Sequence, residues 1–187
     1  MRTRPEVEIV WKAFELRPDP VPARDPAGEY LTRVWRDSVY PLAERLGMTM
    51  RLPPIQPRSR RAHEAAKWAQ TQNQHGADNP VRAQNSFSAY NEAIFRAFFE
   101  RGEDISDIDV LAALARDLNL DESSLRTALD SKQFEPNVLF EENEAATLGL
   151  HAVPAFVANR RFALSGVQTV TTLEGLVNRA NAFDGKA

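Results

Sequence analysis

The sequence predicts an α/β protein, a small strand-and-helix unit opened by a long all-helical insertion. Three observations predict it. Residues 7–16, VEIVWKAFEL, alternate apolar and mixed side chains, the period of a strand. Residues 149–168, GLHAVPAFVANRRFALSGVQ, set a helix-ending glycine and a Val-Pro before two short apolar runs that flank a basic turn. That is the pattern of a loop leading into a β-hairpin. From about residue 25 to residue 148, apolar positions recur at helical spacing instead.

Taken in order, Val7, Ile9, Trp11 and Ala13 give the first strand an apolar face, and Arg17-Pro18-Asp19-Pro20-Val21-Pro22 ends it, since proline donates no ladder hydrogen bond. Asp25-Pro26 predicts a helix start, with a capping carboxylate before a first-turn proline, and Pro41 predicts a break in that helix. Residues 47–54 read as an extended link. Ser59 is expected to cap a helix through Ala62, Ala65, Ala66 and Ala69. From Asn85 to Arg101, Phe87, Tyr90, Ile94, Ala97 and Phe98 share a face that Phe95 and Phe99 widen, which predicts burial on more than one side. Ser106-Asp107-Ile108-Asp109 starts a further helix that carries Ile108, Leu111, Ala112, Ala115 and Leu118, and Asp121 caps a shorter one with Leu125 and Leu129. A helix from about Glu135 to Leu148 ends at Gly149, and a last one follows the hairpin with Leu173, Leu176, Val177 and Ala180 on one face.

Composition excludes several function classes. With 43% hydrophobic and 26% charged residues and a net charge of −3, the chain has the make-up of a globular domain. That charge gives no reason to expect nucleic acid or an anionic membrane as partner. No apolar run approaches the roughly 18 residues of a membrane span, and no signal peptide is evident, so the expected compartment is the cytoplasm. The absence of cysteine rules out structural disulfides, thiolate metal sites and a cysteine nucleophile within these 187 residues.

Other chemistry is looked for without result. His63-Glu64 lacks the second histidine of a zincin, His75 and His151 stand apart, and no metal site is expected. Neither a phosphate-cradling glycine loop nor a Gly-x-Ser-x-Gly elbow is present, and Ser165-Gly166 reads as a turn. Arg58, Arg60 and Arg61 cluster at a helix start, where cations oppose the dipole, so an anion contact is one reading and a solvated first turn the other. Glu141-Glu142 and Asp107-Asp109 read as solubilising carboxylates on exposed helix faces. That leaves the loop before the hairpin, whose chemistry is that of backbone. A cis Val153–Pro154 bond would turn it sharply and let Val153 offer its N–H and C=O to an extended peptide; a trans bond at an ordinary helix-to-strand junction is the alternative.

Together these segments resemble the DsbA family of thioredoxin-fold oxidoreductases, in particular its FrnE-like branch. The likeness is carried by residues 7–16 with the proline-rich turn, by Met50-Arg51-Leu52-Pro53 with residues 59–63, by Phe95-Arg96-Ala97-Phe98-Phe99 with Asp104-Ile105, and by residues 148–168. It runs from about residue 5 to residue 180. The resemblance implies a thioredoxin-like core, incomplete at the N-terminus, formed by residues 1–24 and 134–187, with a helical insertion domain over 25–133. It implies that Val153 and Pro154 are substrate-binding residues in a cis-proline loop. Such a family exchanges disulfides through Cys-x-x-Cys at the start of its first helix, and relatives in the kappa glutathione transferase and hydroxychromene-carboxylate isomerase group use a serine there with glutathione.

The family's first strand and first helix should precede Val7, where only six residues stand. The expected function is therefore that of a DsbA-like oxidoreductase by descent, redox-inactive as it stands, with no catalytic residue and no cofactor. A non-enzymatic peptide- or protein-binding module is the alternative, as is a glutathione-using isomerase or transferase relative. The missing strand would leave residues 7–16 without a direct partner, at about 1–3 kcal/mol for each buried unpaired polar group. Three remedies are expected: an upstream segment absent from this sequence, a shift of residues 7–16 to pair with the hairpin, or a second chain covering the gap as a homodimer.

Overall fold

The structure, a computed structural model, describes residues 7–72 and 80–184. His75 and the first six residues lie outside them. The chain divides into two compact units, one of Arg17–Leu139 and one of Met1–Leu16 with Phe140–Ala187.

The larger unit is helical. It holds α1 (Glu29–Val34), a π-helical turn (Trp35–Val39), α2 (Tyr40–Arg45), α3 (Arg60–Thr71), α4 (Pro80–Phe99), α5 (Ile108–Asp117) and α6 (Glu122–Asp130). Small residues on α3 let its neighbours approach. Ala62, Ala65, Ala66 and Ala69 are buried with Trp68 against Phe87, Tyr90, Ile94 and Ala97 of α4, and the core continues into Leu111, Leu114 and Ala115 of α5 and Leu125, Ala128 and Leu129 of α6. The two large polar rings inside it are satisfied, as buried polar groups must be. Tyr90 Oη donates to the Leu111 carbonyl at 2.8 Å, and Trp68 Nε1 donates to Ser124 Oγ at 3.1 Å. Burial pushes the Tyr90 hydroxyl well above its ordinary pKa.

A helix does start within Ser106–Asp109, where the structure makes Asp107 the cap, its carboxylate accepting from Asp109 N, and Asp121 caps as expected, accepting from Ser123 N and Ser124 N. Three expectations fail. Asp25-Pro26 forms a turn, with Gly28 N on the Asp25 carbonyl, and the helix begins only at Glu29. Pro41 does not break the helical run, because the π-helical turn just before it absorbs the missing N–H by widening the ladder. Ser59 occupies the cap position of α3 in a helical conformation, and its side chain makes no capping bond. The wide face of α4 is also narrower than expected, since Phe95 is exposed and stacks on Phe99 at 6.2 Å.

The arginine cluster is spent within the unit rather than held ready for an anion. Arg58 donates to the Arg17 and Val21 carbonyls, both at 2.6 Å, and pairs with Asp19, so it pins the proline-rich turn. Arg60 pairs with Glu135, and Arg61 donates to the Ser106 carbonyl at 3.1 Å.

The smaller unit contains most of α7 (Glu135–Thr147), the strands β1 (Ala155–Ala158) and β2 (Phe162–Ser165), and α8 (Val170–Asp184). The strands form an antiparallel two-stranded sheet, with Phe156 opposite Leu164. Residues 7–16 are not a strand, neither where expected nor moved over to the hairpin. A strand needs a neighbour to complete its ladder, and here the N–H groups are taken by side chains. Ala13 N donates to Glu141 Oε2 at 2.6 Å and Glu15 N to Glu142 Oε1 at 3.2 Å. The predicted apolar face does not form: Ala13 and Glu15 are buried while Ile9 and Trp11 are exposed. The described residues thus combine a two-stranded sheet with a large helical part, a mixed α/β architecture.

Candidate functional site

The site is built where α7 hands over to β1. Gly149 ends α7 with φ +70°, a left-handed conformation that glycine adopts without a Cβ clash. The bonds from Leu150 N to the Ala145 carbonyl (2.9 Å) and from Gly149 N to the Ala146 carbonyl (3.0 Å) close the helix end in the manner of a Schellman motif. The chain then reaches Val153 and Pro154, both exposed and joined by a cis peptide bond. Val153 is 50% exposed.

The hairpin sets the direction of every backbone group here. Gly166 N donates to the Pro154 carbonyl at 2.8 Å. Antiparallel pairs alternate between bonded and non-bonded, so residues 154, 156 and 158 turn their polar groups to β2. Ala155 and Val157 turn theirs to the opposite edge, which no strand covers among the described residues. Val157, on that edge, is exposed as well. The turn of the hairpin is tight, with Asn159 and Arg160 both at positive φ and Arg161 N on the Ala158 carbonyl. Gln168 Nε2 closes on the Ser165 carbonyl at 2.7 Å, and Thr169 Oγ1 accepts from Thr172 N at the start of α8.

A charge cluster ties the pieces of this unit to α7. Lys12 pairs with Glu141 at 3.5 Å and with Glu144 at 3.3 Å, and Arg160 of the hairpin turn also pairs with Glu144. The Lys12 ammonium first, and the Arg160 guanidinium with it, hold the Glu144 carboxyl below the ordinary carboxylate range. Glu141 and Glu142 are thus not surface solubilisers. They hold the N-terminal segment by its backbone. The hint in the sequence is the placement of Glu141, Glu142 and Glu144 within one turn of α7, but nothing local to it names a segment so distant in the chain. Asp109, by contrast, is exposed and pairs with Arg126 at 2.7 Å.

Val153 and Pro154 sit together, exposed, immediately before β1, one edge of which no strand covers among the described residues. Of the histidines, His151 is exposed in the loop just before them, and His63 lies on α3 in the other unit. Among the described residues, no three His, Cys, Asp or Glu side chains gather as metal ligands, and no helix is long and apolar enough to cross a membrane.

Comparison with known proteins agrees with this architecture. The chain is 32% identical over 158 residues to the uncharacterised protein YwbO of Bacillus subtilis strain 168, a match covering 81% of this chain and 72% of that protein. Among solved structures it is similar to a 2-hydroxychromene-2-carboxylate isomerase, at a TM-score of 0.64 and 16% identity, over 89% of this chain and 75% of the other. It is also similar to a candidate protein disulfide isomerase from Nitrosomonas europaea, at a TM-score of 0.60 and 17% identity, over 81% and 74%. At such identities these two show the fold. The DSBA-like thioredoxin domain matches residues 1–178, and the chain belongs to that family.

Proposed function

We propose that this chain is a peptide-binding member of the DsbA-like family that takes an extended segment of a client protein as an added strand along the outer edge of β1. The observation that carries the reading is the outward backbone of Ala155 and Val157 on an edge that no strand covers among the described residues. Main-chain hydrogen bonds supply affinity in such an addition, and exposed side chains on alternate positions supply selectivity. Pro154 cannot donate and already spends its carbonyl on Gly166, so the first group offered to a peptide belongs to Val153. Thiol–disulfide exchange is the chemistry of the family, but these 187 residues hold no thiol to carry it. The proposed role is to hold peptide rather than to oxidise or reduce it.

The test uses a fluorescent peptide of alternating valine and threonine, titrated into the full chain. Saturable binding is expected. Val157→Pro removes an N–H that points away from β2, leaves the hairpin ladder whole, and should weaken binding at least about tenfold. No saturable binding, or a Val157→Pro affinity equal to that of the unaltered chain, refutes the proposal. A mass that doubles with concentration while peptide affinity falls would assign the edge to a second copy of the chain.

A further inference from the structure

We infer, on the peptide-binding reading of the β1 edge, that Glu144 is a positioning residue for that edge, acting through Arg160 to fix the hairpin against α7. The chain leaves α7, runs through the exposed loop and β1, and returns at the hairpin turn, where Arg160 pairs with Glu144 Oε1. The two residues are 16 apart in sequence, so the pair closes a ring around the Val153–Pro154 loop. The other carboxylate oxygen, Oε2, takes Lys12 at 3.3 Å. One carboxylate thus joins three pieces of the unit, with a separate cation on each oxygen. Its side chain is 11% exposed, so the charge is turned to these partners rather than to water.

Arg160 is where the sequence departs from what the turn alone would choose. Asn159 and Arg160 are the central residues of the turn that Arg161 N closes on the Ala158 carbonyl, at φ +48° and +56°. A turn with both central residues at positive φ favours glycine at the second. A left-handed arginine costs about what an exposed ion pair returns, and the Arg160 side chain is 73% exposed. The pair therefore adds little to net stability. What it supplies is direction: it sets where β1 lies relative to α7, and so where the Ala155 and Val157 backbone groups point. A ring closed in advance also removes freedom that the loop would otherwise lose when peptide binds.

The test titrates an end-capped peptide of alternating valine and threonine, which has no titratable group, into the full chain at several pH values. Arg160→Gly gives the turn the residue it prefers and deletes the pair. It should weaken peptide binding at least about threefold, while the Ala13 amide, held through Glu141, exchanges as in the parent. Arg160→Lys keeps a cation for the single oxygen and should restore the affinity. Glu144→Gln should bind as weakly as Arg160→Gly. The parent should also lose affinity as pH falls through the Glu144 titration, which Lys12 first, and Arg160 with it, hold below the ordinary carboxylate range; Glu144→Gln should lack that loss. Glu141, which shares Lys12, is present in both chains, so the difference between them belongs to Glu144. Equal affinity of Arg160→Gly and parent, or one pH profile for parent and Glu144→Gln, would overturn the assignment. If the parent binds no peptide, the reading of the edge fails and the positioning role is judged on the free chain. There the Ala155 and Val157 amide shifts should move in Arg160→Gly, and unmoved shifts would overturn it.

Discussion

Glu64 lies on α3 at 4% exposure, and its Oε2 has no hydrogen-bond partner among the described residues. Burial, and then the neighbouring Glu135 charge, raise its pKa, against the pull of Arg60, Lys132 and Arg61. An acid whose folded-state pKa is raised favours folding below its unfolded value, and that contribution is lost as pH rises through the folded value. Glu64→Met, of similar volume and without the orphan oxygen, should therefore raise stability at neutral pH by about 1–3 kcal/mol. The gain should vanish below the ordinary carboxylate range, and urea melts across pH check it. Glu144 has the opposite sign, because Lys12 and Arg160 depress its pKa. Its contribution is present above the unfolded value and disappears as pH falls through the folded one. Glu144→Gln should lower stability at neutral pH and remove that part of the acid limb, so that variant and parent converge when both are acidified.

The helices were legible element by element where the period and the caps are local. Leu111 and Ala115, or Leu125 and Leu129, name a buried face by spacing alone, and Asp107, Asp121 and Gly149 name ends by chemistry within a few residues. The hairpin was legible for the same reason, since Val-Pro and a basic turn sit between two apolar runs. Residues 7–16 were not legible, because a strand is a property of a pair and the sequence carries only one member. Their real partner is a helix, reached by Glu141 and Glu142 across 128 and 127 residues. No periodicity encodes such a contact. It makes its own prediction. The double variant Glu141→Gln, Glu142→Gln weakens charge-assisted bonds to neutral ones, so the Ala13 and Glu15 amides should exchange with solvent at least about tenfold faster while those of α5 and α6 do not change. Equal exchange in the variant would mean that something else holds the segment.

At the scale of the whole molecule, the family and fold rest on the order of segments along the chain, and the proposed chemistry rests on one residue type that the chain lacks. A DsbA-like protein without cysteine should not accelerate the reduction of insulin disulfides by dithiothreitol, with turbidity rising no faster than in reductant alone. Acceleration that tracks this chain through purification would contradict the proposed role. The anatomy of the hairpin also bears on solubility. A two-stranded sheet whose borders no strand covers among the described residues is a template on which further chains can nucleate, and natural proteins guard such borders. Here the guard is brevity. Each strand is four residues long, so a second hairpin laid alongside gains few ladder hydrogen bonds, and the short borders discourage fibrils.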